Sequence, residues 1–236
     1  MVLAAFWMLP GPGGADTYYQ LDFDDARIRD GAVHEDGRPF RLRRNGGGQP
    51  ARIIFDPDKG SDVLELRTTP TPAGAGSDRS ELQIYSGVEY GRRFFLGFRL
   101  FVPADTVFSD TWHLLVQCHQ AGTQLSPPLS LNLEPSGALS LVVRDDGDPY
   151  EQLWSGPLPR GRWVPVVLGF RLGRNGRVRL WIDGRVMTTR QQPLGWAAGE
   201  RRCVLKAGLY RGPADTGFVL RLDDVRLADS YRDAKP

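Results

Sequence analysis

The stretch WVPVVLGFRLGRNGRVRLWIDG, from Trp163 to Gly184, decides the fold. Residues 163–172 are rich in β-branched and aromatic side chains, Gly173-Arg174-Asn175-Gly176 is a turn, residues 178–182 are apolar again, and Asp183-Gly184 turns the chain once more. Asn-Gly and Asp-Gly beside hydrophobic runs are the strongest short-range signals of antiparallel pairing. Pro165 has no N–H for a ladder, which predicts that its strand lies at a sheet edge or begins there. The same grammar recurs outward from this pair. Residues 94–102 (FFLGFRLFV) form a long strand, residues 112–119 follow a turn-rich connection, residues 129–134 turn through Pro135-Ser136-Gly137 into 138–143, and 218–227 close the chain. No long amphipathic helical period interrupts them. Many short antiparallel strands with regular turns predict an all-β chain, a two-sheet antiparallel sandwich of the jelly-roll (concanavalin-like) type.

Nothing divides the chain into repeats or blocks of different composition, so residues 17–236 read as one jelly-roll domain. Ahead of them, residues 2–9 are apolar and Pro10-Gly11-Pro12-Gly13-Gly14-Ala15 follows. That run is too short to cross a membrane and fits the apolar part of an export signal, although basic residues do not precede it. Residues 1–16 thus read as a signal remnant or a disordered tail, and the chain as secreted or periplasmic. The loops at residues 45–49 (NGGGQ) and 68–76 (TTPTPAGAG) read as connectors, with the second a lid candidate because it leads to Arg79. The 30 basic residues nearly balance 28 acidic ones, so a nucleic-acid partner is not indicated. Neither a membrane partner nor an oligomer is expected. Only Lys59, Lys206 and Lys235 are lysines; the other basic residues are arginines. Three histidines without a metal-binding spacing and two cysteines predict no protein-built transition-metal site and no cofactor; a structural calcium ion is left open.

Three segments put polar side chains on one strand face, because side chains alternate with period two. In the first, Arg79, Glu81 and Gln83 share a face. In the second, His113, Leu115, Gln117 and His119 point one way and Trp112, Leu114, Val116 and Cys118 the other. In the third, Val204, Lys206, Gly208 and Tyr210 oppose Cys203, Leu205, Ala207 and Leu209. Three polar faces on three strands predict one sheet with a wet groove, and Asn132 joins it by the same parity.

Arg79-Ser80-Glu81-Leu82, Gln117-Cys118-His119 and Lys206-Ala207-Gly208-Leu209-Tyr210, in this order, resemble the motifs of the jelly-roll polysaccharide lyases of the alginate lyase, glucuronan lyase and heparin lyase I types. The likeness extends to the opening Leu21-Asp22-Phe23-Asp24-Asp25, the 163–184 pair and the closing strand. It implies β-elimination on a uronic-acid polymer, an acidic polysaccharide. Gln83, Val204 and Gly212 depart from the alginate lyase pattern on the substrate side, which leaves glucuronan-like and sulfated substrates open.

Elimination removes the C5 proton, α to the uronate carboxylate, and expels O4. Charge developing on the carboxylate needs preorganised donors. Arg79 suits it with a planar fork, and the Gln117 amide adds a donor. His119, with an unperturbed pKa of about 6.5, serves as base or as a further donor. Tyr210 is the proton donor to O4, or the base as well where both groups leave from one side. Lys206, four residues from Tyr210 and so roughly 13 Å along the strand, is expected to bind a neighbouring sugar. Glu81, Gln83 and Asn132 are secondary substrate contacts. His113 is expected at the rim, Trp112 in the core by parity, and Trp163 and Trp181 as sugar-stacking platforms.

If His119 faces Tyr210 across the groove, Cys118 lies level with Leu209, and Cys203 is then about 20 Å further along. A disulfide needs Cα atoms within about 7 Å, which predicts two buried free thiols. A non-catalytic carbohydrate-binding sandwich is the alternative function, since a fold does not fix an activity. A sandwich-type glycoside hydrolase would need paired carboxylates, and no Glu-x-Asp-x-x-Glu strand exists.

Overall fold

In the computed structural model, residues 17–45, 51–72 and 74–236 are described. The export-signal reading at 1–16 and most of the NGGGQ loop lie outside them. Seventeen strands and one short helix form in the described residues. They are β1 (Thr17–Leu21), β2 (Arg27–Arg29), β3 (Ala32–Glu35), β4 (Arg38–Asn45), β5 (Ala51–Asp56), β6 (Ser61–Thr68), β7 (Asp78–Glu89), β8 (Arg93–Phe101) and β9 (His113–Gln120). Then come β10 (Leu129–Leu133), β11 (Ala138–Val143), β12 (Glu151–Pro157), β13 (Trp163–Arg171), β14 (Arg177–Ile182), β15 (Arg185–Gln191), β16 (Arg202–Arg211), β17 (Phe218–Ala228) and α1 (Tyr231–Ala234).

Strand pairing gives two antiparallel sheets. One runs β15-β14-β13-β8-β17-β6-β5, with β1 also on β17; the other runs β12-β11-β10-β9-β16-β7-β4-β3-β2. Their inner faces share one core in which Leu66, Phe94, Phe98 and Phe170 meet Leu82, Val116, Leu131 and Leu205. Burial of such side chains is the dominant favourable contribution to a sandwich, about 1.5–3 kcal/mol for each one fully buried. The all-β jelly-roll expectation holds. Asp183 and Gly184, both at positive φ (51° and 72°), make the tight turn between β14 and β15, the geometry that a two-residue hairpin requires.

Pro165 corrects the edge expectation, because β13 is interior, between β14 and β8. A residue's N–H and C=O point to the same side of a strand. The Pro165 carbonyl accepts from Asp183 N at 3.0 Å, so the missing N–H faces the end of β14, beyond the Val166–Ile182 rung where that pairing begins. The ladder loses nothing there.

A second correction concerns the cysteines. Cys118 and Cys203 form a disulfide with Cα atoms 5.5 Å apart. The register expected from His119 facing Tyr210 is wrong: His119 faces Val204, Lys206 faces Gln117, and Cys118 faces Leu205. Cys203 is therefore a diagonal neighbour of Cys118 on the core side rather than six residues away.

The parity argument also fails along one part of this seam. Across β9 and β16, Ala207 pairs with Val116, but the next paired rung is Tyr210 with Leu114, and β10 shifts against β9 at the same level, between Leu131 and Asn132. This β-bulge places three β16 residues against two of β9 and reverses which side chains face outward. Leu114 joins the outer face and His113 goes inward, 1 % exposed, against Phe218 and Ser109. Burial, with Arg211 nearby, pushes its imidazole down to about 4. Trp112, expected in the core, is half exposed and edge-on to Tyr210 at 4.9 Å between ring centroids.

Gly208 accommodates the bulge. Its φ is +139°, and a Cβ there would sit 2.5 Å from the Ser80 carbonyl oxygen and 2.7 Å from Leu66 Cδ1. Only glycine fits this approach of β16 to β7 and to the facing sheet.

Candidate active site

The outer face of the nine-stranded sheet carries the polar motifs on two rungs. In one, Gln83, Lys206, Gln117 and Ser130 lie side by side on β7, β16, β9 and β10. In the other, Arg79, Tyr210, Leu114 and Asn132 do so. Between these rungs Ala207 and Leu209 point into the core and Gly208 has no side chain, so β16 presents a bare stretch. Across it Gln117 Nε2 donates to Glu81 Oε1 at 2.5 Å, joining strands that are not neighbours. The Lys-Ala-Gly-Leu-Tyr spacing thus has a structural meaning: two polar side chains separated by a gap that a carboxamide and a carboxylate bridge.

Glu81 is 1 % exposed, and Arg79 Nε approaches its Oε2 at 3.2 Å. The alignment is too poor for a hydrogen bond, since both atoms, together with Gln117 Oε1 and Asn132 Oδ1, are buried and unpartnered. Burial raises the Glu81 pKa, opposed by Lys206, the Gln117 amide, Arg79 and Arg43. Lys206 is itself buried, and that burial lowers its pKa against the pull of Glu81. His119 is lowered as well, by burial first, then by Lys206 and, more weakly, Arg79, with a Gln120 backbone contact opposing. The imidazole is therefore held neutral near pH 7.

Gln117, His119, Asn132 and Tyr210 line one cleft of about 410 Å³, with Trp112 and Tyr150 on its walls. Arg79 stands at its border: the guanidinium carbon lies 3.9 Å from the Tyr210 ring centroid, a cation–π stack, while Trp112 meets the same ring edge-on. The phenol is clamped between them. Lys206 and Glu81 lie beneath this surface and Gln83 beside Lys206. Trp163 and Trp181 belong to β13 and β14 of the other sheet, where Trp163 packs on Phe101 and Trp181 on Phe95 and Tyr231. They cannot stack on a sugar in this cleft.

Sequence reasoning missed two wall residues. Arg144 Nη1 donates to Ser130 Oγ (3.1 Å) and the Pro127 carbonyl (2.8 Å), and its guanidinium lies 5.3 Å from the Tyr150 ring centroid. Extending the β11 alternation from Ser140 through Val142 to Arg144 would have put Arg144 on this face. The 68–76 loop leading to Arg79 is tied down at its near end. Thr71 N donates to the Ala214 carbonyl at 2.7 Å, and the fully buried Arg211 donates to the Thr69 carbonyl at 3.0 Å. Among the described residues, no group of three or more His, Cys, Asp or Glu is placed to hold a metal ion, and no helix is long and apolar enough to cross a membrane.

The outer face of the nine-stranded sheet thus brings a clamped tyrosine, a neutral histidine and an arginine together. The sequence matches the polysaccharide lyase family over residues 47–226, and the chain belongs to that family. It is a polysaccharide lyase. No curated protein sequence matches it. Among solved structures, an endo-β-1,4-glucuronan lyase from the fungus Trichoderma reesei is similar with a TM-score of 0.70 and 17 % identity, over 86 % of this chain and 95 % of that one. The alginate lyase AlyC3 has a TM-score of 0.58 and 12 % identity over 92 % and 90 %. Alginate lyase PA1167 from Pseudomonas aeruginosa has 0.52 and 21 % over 75 % and 86 %. At these identities the likeness establishes the shared sandwich.

Proposed function

We propose that the chain cleaves a uronic-acid polysaccharide by β-elimination in the cleft that Gln117, His119 and Tyr210 line. The observation that carries this is the clamp on Tyr210: a cation 3.9 Å above its ring, in a cleft shared with a histidine held neutral. In the reaction His119 takes the C5 proton, the electron pair forms the C4–C5 double bond, the C4–O4 bond breaks, and Tyr210 gives its proton to O4. Where both groups leave from one side of the ring, Tyr210 performs both transfers and His119 donates to the carboxylate instead. Arg79 and the Gln117 N–H not held by Glu81 neutralise the carboxylate as charge develops on it. Glu81, buried beneath the face, serves the substrate through Gln117 by fixing which way the amide points. Lys206, Gln83 and Asn132 flank the reacting sugar.

Glucuronan is the leading substrate. Gln83, Val204 and Gly212 depart from the alginate lyase pattern, and the glucuronan lyase shares the sandwich over most of both chains. The Cys118–Cys203 bridge supports an oxidising compartment, secreted or periplasmic. The test is incubation of purified protein with glucuronan, alginate and heparin while following the ultraviolet absorbance of the unsaturated uronate. A rise on glucuronan, with products summing to the mass of substrate without added water, is expected. No rise on any of the three, with retained binding, turns the reading to a carbohydrate-binding sandwich.

A further inference from the structure

Beyond the cleft, the same outer face continues onto β4, and its charge changes character. Leu42 faces the core opposite Leu82, so its neighbours Arg41 and Arg43 face outward. Arg43 is paired across the ladder with Glu81, and Asn45 with Arg79, which makes Arg43 the diagonal neighbour of Arg79. Together Arg41, Arg43, Asn45 and Arg79 line a hollow of about 680 Å³. Arg79 lines this hollow and clamps Tyr210, so the two depressions are contiguous.

These arginines lack counter-charges of their own. Neither Arg41 nor Arg43 has a carboxylate within 4.0 Å among the described residues, whereas Arg52, Arg67, Arg99 and Arg221 of the eight-stranded sheet each have one. Asp30 is the one acidic residue lining the hollow, and it makes no ion pair with either. Glu81 is already engaged by Gln117 and Arg79. After its own burial, Arg41 and then Arg79 depress the Arg43 guanidinium, with Glu81 opposing them more weakly, so the neighbouring like charges outweigh the one carboxylate in reach. On the opposite flank, beyond β9, the face offers Asn132, Ser130 and Ser140 instead, with Arg144 tied to Ser130. The groove thus carries a cluster of arginines on one side of the reacting site, and one arginine with one carboxylate, Arg144 and Glu134, on the other.

We propose that Arg41 and Arg43 form a second carboxylate subsite, which takes the uronate next to the one being cleaved. This rests on the reading of the cleft as a uronate-eliminating site. Arg43 lies two strands from β16, about 10 Å at sheet spacing. A polymer that crosses the strands from Tyr210 toward β4 then meets Arg79 first and the Arg41–Arg43 pair next. Two guanidiniums that hold a carboxylate in a fork recognise its geometry as well as its charge.

The test uses full-length Tyr210→Phe protein, which binds without turning over, and isothermal titration with hexa-β-1,4-glucuronate and with the same hexamer carboxyl-reduced. Adding Arg41→Gln and Arg43→Gln together is expected to weaken the acidic hexamer about tenfold and to leave the reduced one unchanged, with a shallower salt dependence. Equal weakening of both hexamers, or of neither, overturns the subsite while leaving the cleft reading intact. No binding of the acidic hexamer to the Tyr210→Phe protein, with no unsaturated product from the unsubstituted chain, overturns the cleft reading and the subsite together. Arg41→Gln alone, at an exposed position, is the second variant. An unchanged melting temperature with several-fold weaker acidic binding supports the subsite, and an unchanged affinity overturns it.

Discussion

Glu65 and Glu81 occupy matching places, each near the middle of a strand on the outer face of its sheet, 2 % and 1 % exposed. Their surroundings differ. Glu65 is closed in by Arg52 Nε (2.8 Å), Arg67 Nε (2.6 Å) and Arg221 Nε (3.2 Å), from its own strand and both neighbours. Glu81 has one hydrogen bond, from Gln117, and a misaligned Arg79; its second oxygen is unpartnered. A buried carboxylate with several guanidiniums satisfies its desolvation cost locally. One that is half satisfied does not, and its value lies in what it orients. The eight-stranded sheet uses buried charge to hold strands together, whereas the nine-stranded sheet uses it to aim an amide and leave donors free.

The largest effect expected on the reactive side is from Tyr210→Phe. It should lower turnover on the cleaved polymer by ~10²–10⁴-fold, the usual contribution of a general acid or base, with the melting temperature unchanged. Near-full activity would reassign the phenol to binding. The Glu pair itself gives the next test, by urea unfolding and initial rates in parallel. Glu65→Gln should cost about 1–3 kcal/mol of stability, less than a wholly buried pair because Arg52 and Arg67 are 46 % and 40 % exposed, and leave turnover alone. Glu81→Gln should do the reverse, with under about 1 kcal/mol lost and turnover reduced roughly tenfold as Gln117 loses its fixed orientation. If both variants behave alike, the two sheets do not differ in the way described.

Two smaller measurements sharpen the contrast. His119 must be neutral to take a proton, and burial with Lys206 and Arg79 depresses its pKa. The acidic limb of kcat/KM should therefore fall below the ordinary imidazole value of about 6.5: activity persists as pH drops through 6.5 and fails only lower. A limb above 6.5 would remove His119 as base. Trp112→Leu should produce the mildest change, a few-fold rise in KM, because an edge-on aromatic contact contributes about 0.5–1.5 kcal/mol. Its cost in stability should stay within about 1.5 kcal/mol, the worth of that contact.

The comparison also explains what the sequence revealed. Turn dipeptides and strand alternation were enough for the sandwich, because they depend on neighbours in the chain. Parity was enough for Gln117 and His119 and for Arg79, Glu81 and Gln83, which lie on regular stretches. It failed at Trp112 and His113 because a bulge opposite Gly208 and Leu209 reverses the faces, and a bulge leaves only a glycine as its trace. It failed for the cysteines because register between strands 85 residues apart is set by packing of whole sheets rather than by any local pattern. Arg43 and Arg144 went unnoticed for a related reason: an arginine on an alternating strand looks like solvated surface until the sheet order puts it beside the cleft.

The Cys118–Cys203 bridge bears on how the molecule is made. At translation rates of about 5–20 residues per second, Cys203 emerges ~4–17 s after Cys118, once β10 to β15 have already been made. For that interval Cys118, next to His119, has no native partner within the nascent chain. Closing the bond joins β9 to β16, the two strands that carry His119 and Tyr210. Protein produced in a reducing cytosol should then assemble the sandwich yet lack that tie, and a thiol-reactive dye added to the unfolded chain should find two sulfhydryls where oxidised material has none.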